Sequence, residues 1–126
     1  DKTTNCECVL GTFATIDSAH SYLNGFINEL IGTFLLVLGA LAMTADKLDP
    51  RADFIALGFL VMCLVVSFGG PTGPALNPAR DIMPRIVHAF CPFKNKGGSH
   101  WKYSWVPIVA PIIGATLAAI LYKAVF

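Results

Sequence analysis

Three long apolar stretches limit the folds that this chain can adopt. They cover residues 25–45, 54–70 and 105–122, and each has about the 17 to 25 residues that a helix needs to cross a bilayer. Hydrophobic residues make up 55% of the chain and charged residues only 13%. Buried helices of a soluble domain are the alternative interpretation, but three of them in 126 residues would leave little polar surface to cover them. The sequence therefore predicts an all-α membrane protein with three transmembrane helices.

A polar and irregular segment, residues 69–91, lies between the second and third stretches. Its glycines and prolines before Asn77 disfavour regular structure, whereas Asn77 and Pro78 are a typical N-cap and first residue of a helix. A helix over 79–91 would be about 20 Å long, which is short of the ~30 Å hydrocarbon core. We therefore expect a half-helix that enters the membrane and stops.

Extended backbone at membrane depth needs compensation for its unpaired amides and carbonyls. Such backbone survives only where it is buried in protein or lines a water-filled cavity. Segment 69–91 also carries Arg80 and Asp81, which are costly in hydrocarbon. The sequence thus implies a cavity beside this segment.

The motifs of the chain resemble those of the aquaporin and glycerol-facilitator family, also called major intrinsic proteins. Residues 73–81, Gly-x-x-x-Asn-Pro-Ala-Arg-Asp, are similar to the second signature loop of that family. Residues 11–15, Gly-Thr-Phe-Ala-Thr, resemble the loop before its fourth helix, and Glu29 lies where that helix carries a buried glutamate. The resemblance covers the whole chain and implies one inverted repeat of the fold. Residues 1–24 are then an extracellular connecting loop, and residues 25–126 are the second, C-terminal repeat.

Within the family, certain positions distinguish glycerol channels from water-selective channels. Four positions of this chain match the glycerol branch: Asp81, Arg85, Pro107 and Ile108. A fifth does not, because Ile16 stands where glycerol facilitators tend to have an aromatic residue. The resemblance implies a passive channel for glycerol, water and similar small neutral solutes.

The resemblance also implies roles for individual residues. Backbone carbonyls of residues 70–76, which include Gly73, Ala75 and Leu76, would form a ladder of acceptors along one wall of a pore. The side-chain amide of Asn77 would donate a hydrogen bond to a passing oxygen, and Arg80 would donate at the narrowest point. The constriction would also include Val65 and Pro74, and a large aromatic is common at the position of Pro74 in glycerol channels.

Glu29 has two interpretations. As a loop anchor, its carboxylate would accept hydrogen bonds from backbone amides of the signature loop and hold the carbonyls toward the pore. Alternatively, it lies near the end of its span and reaches interfacial water. The adjacent Asn28 and the family resemblance favour the anchor.

Other polar residues point to no separate chemistry. Cys6 and Cys8 have too few neighbouring ligand residues for a metal site, and a disulfide between them would be strained. The histidines are scattered near loops and helix ends, and we expect them to be solvated: His20, His88 and His100. No nucleophile with a base is recognisable, so we expect no enzyme, cofactor or metal. The net charge of +1 gives no indication of nucleic-acid binding.

Packing and interface signals complete the sequence prediction. Ala110, Gly114 and Ala118 have the four-residue spacing of a closely packed helix face.

Membrane orientation can be predicted from the basic residues of the connections. The shorter connection, residues 46–53, contains Lys47 and Arg51, whereas the longer one contains Arg80, Arg85, Lys94, Lys96 and Lys102, so this count would place the longer connection in the cytoplasm. The family places it outside, and we follow the family because Arg80 belongs to the signature loop.

Family channels consist of two inverted repeats, whereas only the second is recognisable here. We expect a piece of a longer channel in the cell membrane, whose first-repeat half is covalently attached or is a separate chain. A half-size gene product that assembles with another half is the alternative. The family implies a homotetramer of complete channels. A non-conducting membrane interaction half, or a regulatory fragment, is the alternative function.

Overall fold

The computed structural model describes residues 2–18, 20–45, 50–92 and 96–126, and it is helical throughout its regular elements. Lys47 and Lys94, which entered the count of basic residues, lie outside these ranges. The helices follow one another as α1 Lys2–Gly11, α2 Tyr22–Ala45, α3 Pro50–Thr72, α4 Pro78–Phe90 and α5 Val106–Val125.

Three of these helices are long and apolar enough to cross a membrane, namely Tyr22–Ala45, Arg51–Thr72 and Val106–Val125. The three predicted spans are therefore confirmed, with ends that differ by a few residues. Many of their large apolar side chains are exposed, and Phe54 and Val66 on α3 retain 75% and 78% of their accessible surface. Such a surface is unfavourable in water and suits a lipid or protein neighbour.

Helices α2 and α5 cross at close range because small residues line α5 at the contact. Ala110 and Ala118 are fully buried, and Gly114 lies directly against the backbone of α2. A Cβ atom added at Gly114 would be 2.4 Å from the Leu30 carbonyl oxygen and 3.1 Å from the Phe34 amide nitrogen. The predicted packing role of the small-residue face is confirmed, since no larger residue fits at its centre.

Helix α4 is the predicted half-helix. Its N-cap is Asn77, whose backbone is extended (φ −153°, ψ 120°) and whose Oδ1 accepts a hydrogen bond of 2.9 Å from the Ala79 amide. Pro78 fills the first position, and the helix ends at Phe90 after 13 residues. At about 1.5 Å per residue it is too short to span a bilayer. The fold is thus three spans and one re-entrant half-helix.

The end of α3 corrects the sequence prediction, which placed irregular backbone from residue 69. The helix instead continues through Pro71 to Thr72. A proline near a helix end removes only one backbone hydrogen bond. Asn28 of α2 binds this last turn, because its Nδ2 donates to the Phe68 carbonyl at 2.8 Å and lies 3.1 Å from Thr72 Oγ1. Irregular backbone is therefore confined to residues 73–77.

The connection predicted over residues 1–24 contains regular structure. Residues 2–11 form α1, and α2 begins at Tyr22, three residues before the predicted boundary. Between them, residues 12–18 fold inward, with Ala14 and Thr15 buried. The connecting segment thus contributes to the core, because its backbone finds partners on other elements. The Ile16 amide, for example, donates to the Thr72 carbonyl at 3.1 Å.

Candidate functional site

An open groove of about 440 Å³ runs between α2, α3, α5 and the loop that precedes α4. Four residues that the sequence placed at a constriction or signature loop, Val65, Pro74, Asn77 and Arg80, all line it. Ala75 and Leu76 lie on the same wall. The remaining lining residues are mainly apolar: Thr33, Leu36, Val37, Val61, Pro78, Pro111 and Ala115.

The loop of residues 73–77 brings backbone polar groups to this groove. It turns through left-handed conformations at Gly73 (φ 65°) and Leu76 (φ 54°). Left-handed geometry costs a non-glycine residue energy and persists only where surrounding contacts fix it. The carbonyls of residues 73–76 accept no hydrogen bond from the part of the chain that the structure describes. Within the predicted carbonyl ladder of residues 70–76, the Thr72 carbonyl is already engaged, because it accepts a hydrogen bond of 3.1 Å from the Ile16 amide.

Glu29 binds this loop from the side of α2. Its side chain is fully buried, Oε1 accepts hydrogen bonds from the Ala75 amide at 2.8 Å and from Thr72 Oγ1 at 3.1 Å, and Oε2 accepts one from the Leu76 amide at 2.9 Å. Two consecutive amides thus point toward α2. Carboxylates that accept from several donors are strong and directional anchors. The contacts are those of the loop anchor and not those of a side chain that reaches interfacial water.

Sequence reasoning used Asn28 only as support for the anchor, and it missed the contacts that Asn28 and Thr72 make. Asn28 binds the last turn of α3, and the Thr72 hydroxyl links that turn to the Glu29 carboxylate. Two adjacent polar residues inside an apolar span were the available signal, because each needs a partner at membrane depth.

The groove exposes unpaired donors where α4 begins. Since Asn77 Oδ1 caps the helix, the amide nitrogen Nδ2 of Asn77 is left for another acceptor. The exposed Arg80 side chain makes no hydrogen bond or ion pair with the described residues. The positive end of the α4 dipole lies at the same place. The site therefore offers hydrogen-bond donors and positive potential to whatever occupies it.

The opposite face of α4 is buried and contains an ion pair. Asp81 and Arg85 are two of the positions that matched the glycerol branch, and neither side chain has solvent exposure. Arg85 Nε and Nη2 donate to the two Asp81 oxygens at 2.8 Å each. The Asp81 carboxylate also accepts from the amide and hydroxyl of Thr15, at 2.7 and 2.6 Å. The four-residue spacing of an acid and a base on one helix is the signal for this pairing.

The remaining donors of Arg85 connect two loops that are distant in sequence. Nη2 donates to the Thr15 carbonyl at 2.7 Å, and Nη1 donates to the carbonyls of Ser99 and His100 at 2.8 and 3.3 Å. All five N–H groups of the guanidinium are thereby used. The ion pair is fully satisfied and joins α4 to both flanking segments.

His88 corrects the expectation of solvated histidines. It is fully buried, its Nδ1 lies 2.9 Å from Ser99 Oγ, and its ring meets Phe13 edge-on with centroids 5.5 Å apart. Burial lowers the pKa of His88 below its usual value of 6.5, and the charges of Lys96 and Arg85 act in the same direction. His88 is therefore a buried core residue. His20 and His100 are exposed, as expected.

Three further predicted residues lie away from the groove. Pro107 is buried in the first turn of α5, and Ile108 is half-buried beside it. Gly73 shapes the loop through its positive φ and does not line the groove. No disulfide joins the four cysteines, all of which belong to the described part of the chain.

Comparisons with known proteins agree with this geometry. Residues 2–122 match the sequence model of a family described as "Major intrinsic protein". The chain is 53% identical to the "Glycerol uptake facilitator protein-like 5" of Lactiplantibacillus plantarum, across 99% of this chain and 51% of that protein. It is 48% identical to the "Glycerol uptake facilitator protein" of Bacillus subtilis, across 93% of this chain and 43% of that protein. A "Probable glycerol uptake facilitator protein" of Thermotoga maritima is 43% identical, with 99% and 53% covered. The chain thus spans about half the length of these relatives.

Proposed function

This chain belongs to the major intrinsic protein family and is a multi-pass membrane protein, and on that premise we propose that it forms half of a channel for glycerol, water and similar small neutral solutes. The observation that carries the proposal is the lining of the groove. The groove is lined by Pro74, Ala75 and Leu76, whose carbonyls accept no hydrogen bond from the described residues, by the donors of Asn77 and Arg80, and by apolar side chains of α2 and α3.

Such a lining suits a polyol better than an ion. A glycerol molecule that enters a narrow passage loses hydrogen bonds to water, and each unmet hydroxyl costs free energy. The loop carbonyls accept from these hydroxyls, Asn77 and Arg80 donate to them, and Val61 and Val65 pack against the carbon backbone. Selective passage through such a pore depends on its diameter and on the donors and acceptors along it. No bond is made or broken.

The same groups disfavour cations. A cation must shed most of its hydration shell to enter, and at the beginning of α4 it meets the positive end of the helix dipole and the guanidinium of Arg80. The dipole is equivalent to roughly half an elementary charge. A neutral solute loses nothing in this field, so the electrostatic barrier acts selectively on positive charge.

A complete pore requires a second wall. The groove is open on one side, and the relatives named above are about twice as long as this chain. We propose that a first-repeat half, covalently attached or separate, closes the groove, and that complete channels form a homotetramer in the cell membrane. Asp81, Arg85, Pro107 and Ile108 support assignment to the glycerol branch.

Reconstitution tests this proposal. The chain is incorporated into liposomes alone and together with the part of the L. plantarum relative that it does not match, with incorporation verified by gel electrophoresis. Stopped-flow light scattering then measures swelling in glycerol and sucrose gradients. We expect rapid glycerol and water flux with the complementary part. Liposomes without glycerol flux in both preparations would support a non-conducting interaction module instead.

A further inference from the structure

Thr33 is a buried polar residue of the groove that the loop anchor, the half-helix and the ion pair do not use. It lies on α2 one helical turn after Glu29, and its side chain is 3% exposed. It lines the groove together with Leu76, Asn77 and Arg80. Its hydroxyl oxygen has no hydrogen-bond partner within the described ranges.

The missing partner distinguishes Thr33 from other threonines in the spans. A helical threonine commonly donates its hydroxyl to the carbonyl four residues earlier. Thr44 and Thr116 do so, at 2.9 Å from the Ala40 carbonyl and 2.8 Å from the Ile112 carbonyl. Thr33 does not make the corresponding bond to Glu29. An unmet hydroxyl at this depth is unfavourable unless another group satisfies it.

The loop that precedes α4 supplies acceptors to the groove only through its backbone carbonyls. At the level of Asn77, the side chains offer donors only, because Asn77 Oδ1 is engaged by the Ala79 amide and Arg80 has no acceptor. A solute hydroxyl that accepts a hydrogen bond from Asn77 can still donate one through its own O–H group. The Thr33 hydroxyl on α2 can accept that hydrogen bond, and it can also donate one.

We propose that the Thr33 hydroxyl hydrogen-bonds permeating polyols opposite Asn77 and thereby helps to determine solute specificity. Threonine in a helix populates two χ1 rotamers, so rotation about the Cα–Cβ bond exchanges the covered hydroxyl with the methyl group without movement of the backbone. Glu29 and Thr33 then have different roles on one face of α2. Glu29 binds the amides of the loop, and Thr33 forms a hydrogen bond with the solute.

This inference rests on the proposed channel function, and the test separates the two. Thr33→Val removes the hydroxyl at nearly constant shape, Thr33→Ser retains it, and Thr116→Val removes a hydroxyl that is exposed on α5. Each variant is reconstituted with the complementary part described above. Glycerol permeability is measured by stopped flow, and the melting temperature is measured in detergent.

We expect Thr33→Val to lower glycerol permeability about fivefold, the effect of one lost hydrogen bond between neutral groups. Its melting temperature should equal or exceed that of the parent, since a buried unpaired hydroxyl is removed. Thr33→Ser and Thr116→Val should retain parental permeability. Parental permeability of Thr33→Val would overturn the role of Thr33 while the channel function stands. A parent without glycerol flux would overturn both.

Discussion

Asp81 and Arg85 form an ion pair in which neither side chain is exposed, with Arg85 Nη2 2.8 Å from Asp81 Oδ1. Arg80, the residue directly before Asp81, is exposed to the groove. Adjacent residues of α4 therefore face opposite environments. The buried pair fixes the rotation of the half-helix about its axis, and with it the direction in which Arg80 points.

Arg85→Met should strongly destabilise the protein. The substitution leaves the Asp81 carboxylate buried without its counter-ion, and breaking one side of a buried pair costs about 3 to 5 kcal/mol. Thermal unfolding in detergent measures the loss. Lys102→Met removes an exposed cation from the neighbouring loop and serves as the control. Equal melting temperatures for both variants would contradict the role of the pair.

Glu29→Gln should destabilise the loop that lines the groove. The carboxylate accepts from three donors, and a glutamine would turn an NH2 group toward one of them. A buried donor without an acceptor costs about 1 to 3 kcal/mol. We expect a lower melting temperature and lower glycerol permeability in the reconstituted channel. Glu7→Gln, at an exposed position, is the control, and an unchanged Glu29→Gln variant would exclude the anchor role.

Gly114→Ala should weaken the crossing of α2 and α5. The new Cβ would lie 2.4 Å from the Leu30 carbonyl oxygen, which is backbone and cannot rotate away. Overpacking of this kind costs about 1 to 3 kcal/mol. Gly58→Ala is a matched control on α3, because no atom lies within 4 Å of its added Cβ. Thermal unfolding should separate the two variants, with Gly58→Ala equal to the parent or more stable.

The sequence was sufficient to predict the elements that local signals determine. Three spans follow from the length of apolar stretches, and the beginning of α4 follows from Asn77 and Pro78. The tight crossing at Gly114 follows from residue size and spacing. In each case the signal and the structure lie in the same short segment.

The features that the sequence did not reveal depend on partners distant in the chain. Thr15 is 66 residues from Asp81, which it contacts, and Asn28 is 40 residues from Phe68, whose carbonyl it satisfies. Burial of His88 likewise needs the loop at Ser99. Polar residues can be identified as needing partners, but their partners are determined by tertiary packing.

Pro74→Phe should narrow the proposed pore. Pro74 is buried at the edge of the groove, and a phenylalanine side chain is too large for that position without projecting into the groove. Since passage depends on diameter, we expect permeability to five-carbon polyols to fall about tenfold or more relative to Pro74→Ala, with a smaller effect on water. Vesicle swelling assays measure both solutes. Unchanged polyol uptake would mean that residue 74 does not face the pore.

The buried His88 should make stability depend on pH. Its folded pKa lies below the usual value of 6.5, mainly because it is buried, so the folded state keeps it neutral while the unfolded state binds a proton as the pH falls below about 6.5. Stability from this residue is therefore fully present above that pH and declines as the pH falls toward the folded pKa. The melting temperature in detergent at pH 7.5 and pH 5.5 measures the decline. His88→Gln should reduce the difference in melting temperature between the two pH values. His20→Asn is the control and should retain that difference, because His20 is exposed and asparagine tolerates the left-handed backbone at this position. If His88→Gln kept the full pH dependence of the parent, groups other than His88 would be responsible for it.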